Sequence, residues 1–164
     1  MHPASCGEWE YTEHADAALV RKRSVDLLRR AQGSVADAEV VCADSRSAHQ
    51  EIFSAVTPTG QEYLAGHYRG EAYPCLEFRP AYIARQPGFP PSDIAMAMQA
   101  YHAEVQGALA DLEMATAKKK GKKLTDGEWL HLTAELLAAL YVQFLVIHPY
   151  ANGNGHISRL IVWV

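Results

Sequence analysis

The chain is poor in cysteine, in net positive charge and in long apolar runs, and each shortage excludes something. Its three cysteines, Cys6, Cys42 and Cys75, are widely spaced, odd in number and form no metal-type pattern. The simplest reading is reduced thiols in a cytoplasmic protein, or one delivered to another cell's cytosol. The formal net charge of −4 supplies no global attraction to nucleic acid or to an anionic membrane. No uninterrupted run of about twenty apolar residues occurs, so no membrane span is expected. The first nine residues are polar and lack an apolar segment, so no signal peptide is expected. No internal repeat is visible.

What is present suits one domain with a real core: 164 residues, of which 49 % are hydrophobic and 21 % charged. The domain is expected over residues 12–164, after a mobile or loosely docked tail of residues 1–11. Residues 13–31 read as an amphipathic helix, with Ala17, Val20, Ser24, Leu27 and Leu28 on one stripe, Thr12 as its cap and Gly33 as its stop. Residues 34–56 permit one broken helix or two short ones, ended by Thr57-Pro58-Thr59-Gly60. Residues 73–80 alternate apolar and charged positions between Pro74 and Pro80, which suits a short edge strand or hairpin. Pro90 and Pro91 open a helix to about residue 115, with Ile94, Met98, Tyr101, Val105, Leu109 and Leu112 as its stripe.

The lysines of 118–123 read as a solvated loop, not as a nucleic-acid contact, because the block is short and carries no interleaved aromatics. Thr125 or Asp126 caps a last long helix, apolar nearly all round from Leu136 to Ile147 and therefore expected at the centre of the fold. Pro149 ends it and leaves His148 at the rim of the core.

Chemistry concentrates in the stretch from His148 to Arg159, His-Pro-Tyr-Ala-Asn-Gly-Asn-Gly-His-Ile-Ser-Arg. It reads as helix end, glycine-rich loop and helix start. Backbone N–H groups at a helix N-terminus have no intrahelical partner, and the helix dipole adds positive potential, so phosphate is favoured there. His148 can serve as a base near neutral pH. Arg159, about one turn into the following helix, can reach back as a forked oxyanion partner.

This stretch resembles the signature of Fic-domain proteins, His-Pro-Phe-x-(Asp/Glu)-Gly-Asn-Gly-Arg-x-x-Arg. His148, Pro149, Gly153, Asn154, Gly155 and Arg159 are identical to it, and Tyr150 replaces Phe. Asn152 stands where the family has an acid, and His156 where it has its first arginine. Gly66-His67-Tyr68-Arg69-Gly70 is similar to a Gly-x-Tyr-Arg element that the family often carries. The resemblance implies a mainly α fold, a Fic-like helical bundle with a short β-hairpin flap and its core over about 60–164. The helix that begins near Asn154 has only a few residues before Val164 and would be marginal alone, so either a packed partner covers it or the natural chain continues, and the second is the expectation. Residues 73–83 would be the flap, with Cys75, Leu76, Glu77 and Phe78 docking the target's backbone.

The implied function is transfer of AMP from ATP to a Ser, Thr or Tyr hydroxyl of a protein. His148 would be the general base, and Gly153, Asn154, Gly155, His156 and Arg159 would hold the nucleotide. Asn152 takes the place of the acid that ligates Mg²⁺ and offers only a neutral oxygen, whereas magnesium prefers carboxylates. His156 offers fewer donors than an arginine and is mostly neutral at pH 7. These two departures keep open a weak or inactive nucleotide-binding regulatory module, and transfer of another phosphate-containing group. The closest stretch to the family's inhibitory pattern, Ser47-Ala48-His49-Gln50-Glu51, is followed by Ile52 instead of Gly or Asn. A regulatory partner protein could supply the brake instead; membrane and nucleic acid are not expected as partners.

Overall fold

The helix that leads to His148 begins at a capping box and ends at a left-handed residue followed by proline. The structure is a computed structural model, and it describes Cys6, Trp9, residues 15–83 and residues 85–164. Helices α1 (Ala15–Gly33), α2 (Val35–Ala43), α3 (Arg46–Phe53), α4 (Ile94–Lys120), α5 (Asp126–Ile147) and α6 (Asn154–Trp163) make up most of it. The expected cap at Thr12 lies outside the described residues.

Thr125 starts α5 with a capping box: the Glu128 N–H donates to Thr125 Oγ1, and the Thr125 N–H donates to Glu128 Oε2. α5 lies between α4 and α6, while α1 packs on α2, α3 and α6. Leu140, Phe144 and Ile147 form the buried stripe of α5, facing Ile94, Met98, Tyr101 and Val105 from α4 and Ile157, Leu160 and Ile161 from α6. Burial of each such side chain contributes about 1.5–3 kcal/mol.

Four expectations need correction. First, α5 is not buried all round. Leu130, Val142 and Val146 stay exposed, because α4 and α6 cover one stripe only. By length and composition α5 is apolar enough to cross a membrane, with a mean hydropathy of 1.8 over its best window. His131, Thr133, Glu135 and Gln143 interrupt the helix, so no unbroken apolar run of spanning length shows in its sequence although its mean is apolar. Second, α4 runs on to Lys120, so Lys118, Lys119 and Lys120 form its last turn, where cations suit the helix dipole. Lys119 also lies 4.4 Å over the Trp129 ring.

Third, the strand pair is not at 73–80. That segment turns on itself, with Cys75 and Leu76 buried and Glu77 and Phe78 exposed. The antiparallel pair is β1 (Tyr82–Ile83) with β2 (Gln86–Pro87), in register Tyr82 opposite Pro87. Pro74 and Pro80 remove two ladder donors, and Leu76 is drawn into the core, which a flat strand would not allow. Fourth, Cys6 and Cys75 are joined in a disulfide, and only Cys42 is free, buried in α2. The expectation of three reduced thiols does not hold. Nor is the chain loosely docked at Trp9, which is buried with its indole N–H donating 2.8 Å to the Val56 carbonyl.

Candidate functional site

α5 ends at His148 in a left-handed conformation, φ 53° and ψ 59°. A non-glycine residue there costs roughly 1–2 kcal/mol, so something must hold it. Arg69 does. Its Nε donates to the His148 carbonyl at 2.7 Å and its Nη2 to the Ile147 carbonyl at 3.1 Å, while its own backbone N–H donates to the Pro149 carbonyl at 2.7 Å. Further bonds reach the carbonyls of Arg79 and Phe89, tying the helix end to the segments that flank the hairpin. The guanidinium is buried among neutral carbonyls, and desolvation, followed by the nearby charge of Arg79, lowers its pKa to about 10. It therefore stays charged at pH 7. Gly70 makes this approach feasible: at φ +91°, an added Cβ would stand 1.9 Å from the Pro91 carbonyl.

The His148 ring is half-buried, and its Nδ1 lies 3.4 Å from the Leu145 carbonyl. A carbonyl only accepts, so Nδ1 carries the proton and Nε2 keeps the basic lone pair. Burial lowers the His148 pKa, the bond to Leu145 opposes the shift, and the charge of Arg69 adds to it. The imidazole is neutral at pH 7 and able to accept a proton.

Beneath the loop, Tyr150 is completely buried and shares a 2.8 Å hydrogen bond with the Ser45 hydroxyl. Its ring stacks on His49 with centroids 3.8 Å apart. Asn154 spans the turn: its Oδ1 accepts from the Tyr150 N–H, and its Nδ2 donates to the Tyr150 carbonyl, both at 2.9 Å. The Asn154 side chain is thus spent inside the loop, leaving its backbone N–H as its means of holding a phosphate. Gly153 at φ +80° opens α6. A Cβ there would meet the Phe53 ring at 2.5 Å, so the loop lies flat on α3.

Of the three amides expected to form a phosphate cradle, one is already used: the Gly153 N–H donates 2.7 Å to Asn152 Oδ1. The amides of Asn154 and Gly155 are the first two of α6 and have no intrahelical carbonyl to reach. Asn152 completes its bonding by donating from Nδ2 to the Trp9 carbonyl. Because Gly153 N–H can only donate and the Trp9 carbonyl can only accept, the orientation of this amide is fixed.

His156 lies half-buried beneath α1, its Nδ1 3.5 Å from the Ser24 hydroxyl and its ring edge-on to Phe53. Burial, then the charges of Arg159 and Arg21, lower its pKa. Arg159 is exposed, with its guanidinium 3.7 Å from the Cβ position of Gly155. The two residues border a cavity of about 320 Å³ walled by Val25, Leu28, Leu160 and Trp163. Glu51, at the glutamate position of the inhibitory-like stretch, pairs with Arg30 at 2.7 Å.

The residues present do not fit a protein-held Mg²⁺. Its expected ligand oxygen, Asn152 Oδ1, faces the Gly153 N–H, and no group of three His, Cys, Asp or Glu side chains converges among the described residues. The docking residues also divide. Cys75 and Leu76 are core and Glu77 and Phe78 are surface, while the groove beside the hairpin is lined by Ile83, Gln86, Pro87, Phe89 and Val146.

The sequence alone assigned no role to Trp9, placed His49 only within the inhibitory-like stretch, and placed Arg69 only within the Gly-x-Tyr-Arg element. His49 had a signal: Ala48, His49, Ile52 and Phe53 recur at helical spacing, which places the histidine on the apolar face. Its Nδ1 accepts from the Gly66 N–H at 2.9 Å, and its Nε2 donates to the Asn152 carbonyl at 3.0 Å. Desolvation pushes its pKa down to about 3. Trp9 had no local signal.

The Fic/DOC family model matches residues 42–164, a span that includes α3 to α6, the hairpin and the whole loop. No curated protein and no solved structure matches the chain. The match, over most of the length and through the loop that carries His148, establishes that the chain belongs to the Fic/DOC family.

Proposed function

We propose that the chain is a nucleotidyltransferase that moves AMP from ATP to a Ser, Thr or Tyr hydroxyl of another protein. The observation that carries the reading is the placement of His148. Its Nδ1 is engaged by Leu145, which leaves Nε2 basic at the end of α5 that feeds the loop, and the loop in turn opens α6, whose first amides have no intrahelical carbonyl to reach. In this reaction the target hydroxyl oxygen bonds to the α-phosphorus of ATP and its proton passes to His148 Nε2. The bond from the α-phosphorus to the bridging oxygen breaks, and pyrophosphate leaves. The Asn154 and Gly155 amides and Arg159 oppose the charge that grows on the phosphoryl oxygens. The target's backbone docks at the hairpin Tyr82–Pro87, not at Cys75–Phe78. No step is assigned to a metal.

A second reading, a nucleotide-binding regulatory module, draws on one observation: Asn152 Oδ1 and the Gly153 N–H are spent on each other. One experiment separates the two. The protein is incubated with cell lysate and α-labelled ATP, UTP, GTP or CDP-choline, with Mg²⁺ or Mn²⁺. Label should pass from ATP to protein and vanish in His148→Ala. The rate should rise with pH below 6.5 and be level above it, because the folded His148 pKa lies below that of a free imidazole. Retained nucleotide binding with no transfer from any donor would leave the module as the function.

A further inference from the structure

The N-terminal segment and the loop meet in a way that the proposed chemistry does not use. Cys6 is bonded to Cys75, in the turn that precedes the hairpin. Three residues on, Trp9 is buried in the core cluster, edge-on to Phe53 at 5.8 Å and to His49 at 6.3 Å. Those are the two rings that support the loop, Phe53 under Gly153 and His49 under Tyr150. The Trp9 carbonyl accepts from Asn152 Nδ2, and this sets the direction of the Asn152 amide. With Nδ2 on Trp9, Oδ1 faces Gly153 and takes up its N–H. A chain of contacts thus runs from the disulfide through Trp9 and Asn152 to a phosphate-cradle amide. An acid at 152 could not donate to the Trp9 carbonyl, so the departure of Asn152 from the family pattern suits this contact.

We infer that the Cys6–Cys75 disulfide and Trp9 form a redox-set latch that holds the loop closed by engaging Asn152. Opening requires a dithiol reductant. Its thiolate attacks one sulfur of the Cys6–Cys75 bond, its second thiol displaces the mixed disulfide, and the reductant leaves as its own disulfide. Cys6 and Cys75 take up the two protons as thiols. The covalent tether is then gone, and Trp9 is retained only by non-covalent contacts, among them its packing and its hydrogen bonds to Val56 and Asn152. When Trp9 leaves, Asn152 loses its acceptor, its side chain turns, and the Gly153 N–H joins those of Asn154 and Gly155 as a third donor for phosphate.

The test uses the whole chain, oxidised and after reduction with dithiothreitol, and follows hydrogen exchange by mass spectrometry. Exchange of the peptide spanning 150–156 should quicken about fivefold on reduction, while exchange in α4 and α5 stays unchanged. Cys6→Ser should exchange fast with or without reductant. Asn152→Asp should do so with the disulfide intact, which keeps the test sound if the Cys6 variant folds poorly. Equal exchange of 150–156 in both redox states would overturn the latch. A rise spread over the whole chain would also overturn it, since the disulfide would then be a general staple. The link to binding rests on the phosphate role proposed above: metal-free ATP should bind about fivefold more tightly to the reduced chain. Equal affinity despite quickened exchange overturns control of binding. Absence of ATP binding in both states overturns the functional reading, while exchange still decides the latch.

Discussion

The Arg69 guanidinium donates from Nε to the carbonyl oxygen of His148 at 2.7 Å, so the backbone of the candidate base is pinned while its ring is engaged at Nδ1, by the Leu145 carbonyl. The ring stays available for proton transfer while a left-handed residue is fixed at the end of α5. A lysine at 69 would keep the charge but lose the planar fork that serves four carbonyls. Arg69→Lys should lower stability by about 2–3 kcal/mol, because buried carbonyls lose their donors. Urea denaturation measures this, and a change under about 0.5 kcal/mol would show that the fork does not hold the helix end.

Gly153 is constrained twice, by φ +80° and by the Phe53 ring 2.5 Å from any added Cβ. Gly153→Ala should therefore cost about 2–4 kcal/mol. In a double-mutant cycle with Phe53→Leu, the cost should fall by about 1 kcal/mol, since the clash is relieved and the strained φ is not. Additive effects would mean that the ring does not set the loop's height.

His49 predicts a pH dependence with a definite sign. Its folded pKa of about 3 lies below the 6.5 of a free imidazole. The unfolded chain binds a proton between those values and the folded chain does not. Stability is therefore full above 6.5 and declines as pH falls towards 3, by roughly 1.4 kcal/mol per pH unit for this one group. His102, His148 and His156 are shifted in the same direction and add to the slope. His49→Gln retains a donor and an acceptor but does not titrate, so its stability between pH 4 and 6 should fall less steeply, by about one proton. Parallel curves for the two proteins would remove His49 as the source.

The reading of the helices from sequence succeeded where signals are local. The stripe of Val20 and Leu27, the Thr125–Glu128 capping box and the stop at Pro149 each depend on residues within a few positions of one another. The burial of α5 was misjudged, because composition reports how apolar a helix is and not how many neighbours cover it. The strand pair was misplaced by about one turn of chain, since alternation in 75–79 competes with the pull of Leu76 into the core.

The sequence by itself determined the helices, their caps and the crowding of His148, Gly153, Gly155 and Arg159 into one loop, because spacing along the chain sets all of these. Tertiary structure alone decided what the loop can offer. It brought Arg69 to the His148 carbonyl across 79 positions, His49 to the Asn152 carbonyl across 103, and the Trp9 carbonyl to the Asn152 amide across 143. Hydrogen bonds at such separations depend on how helices pack, and no local pattern of residues encodes them.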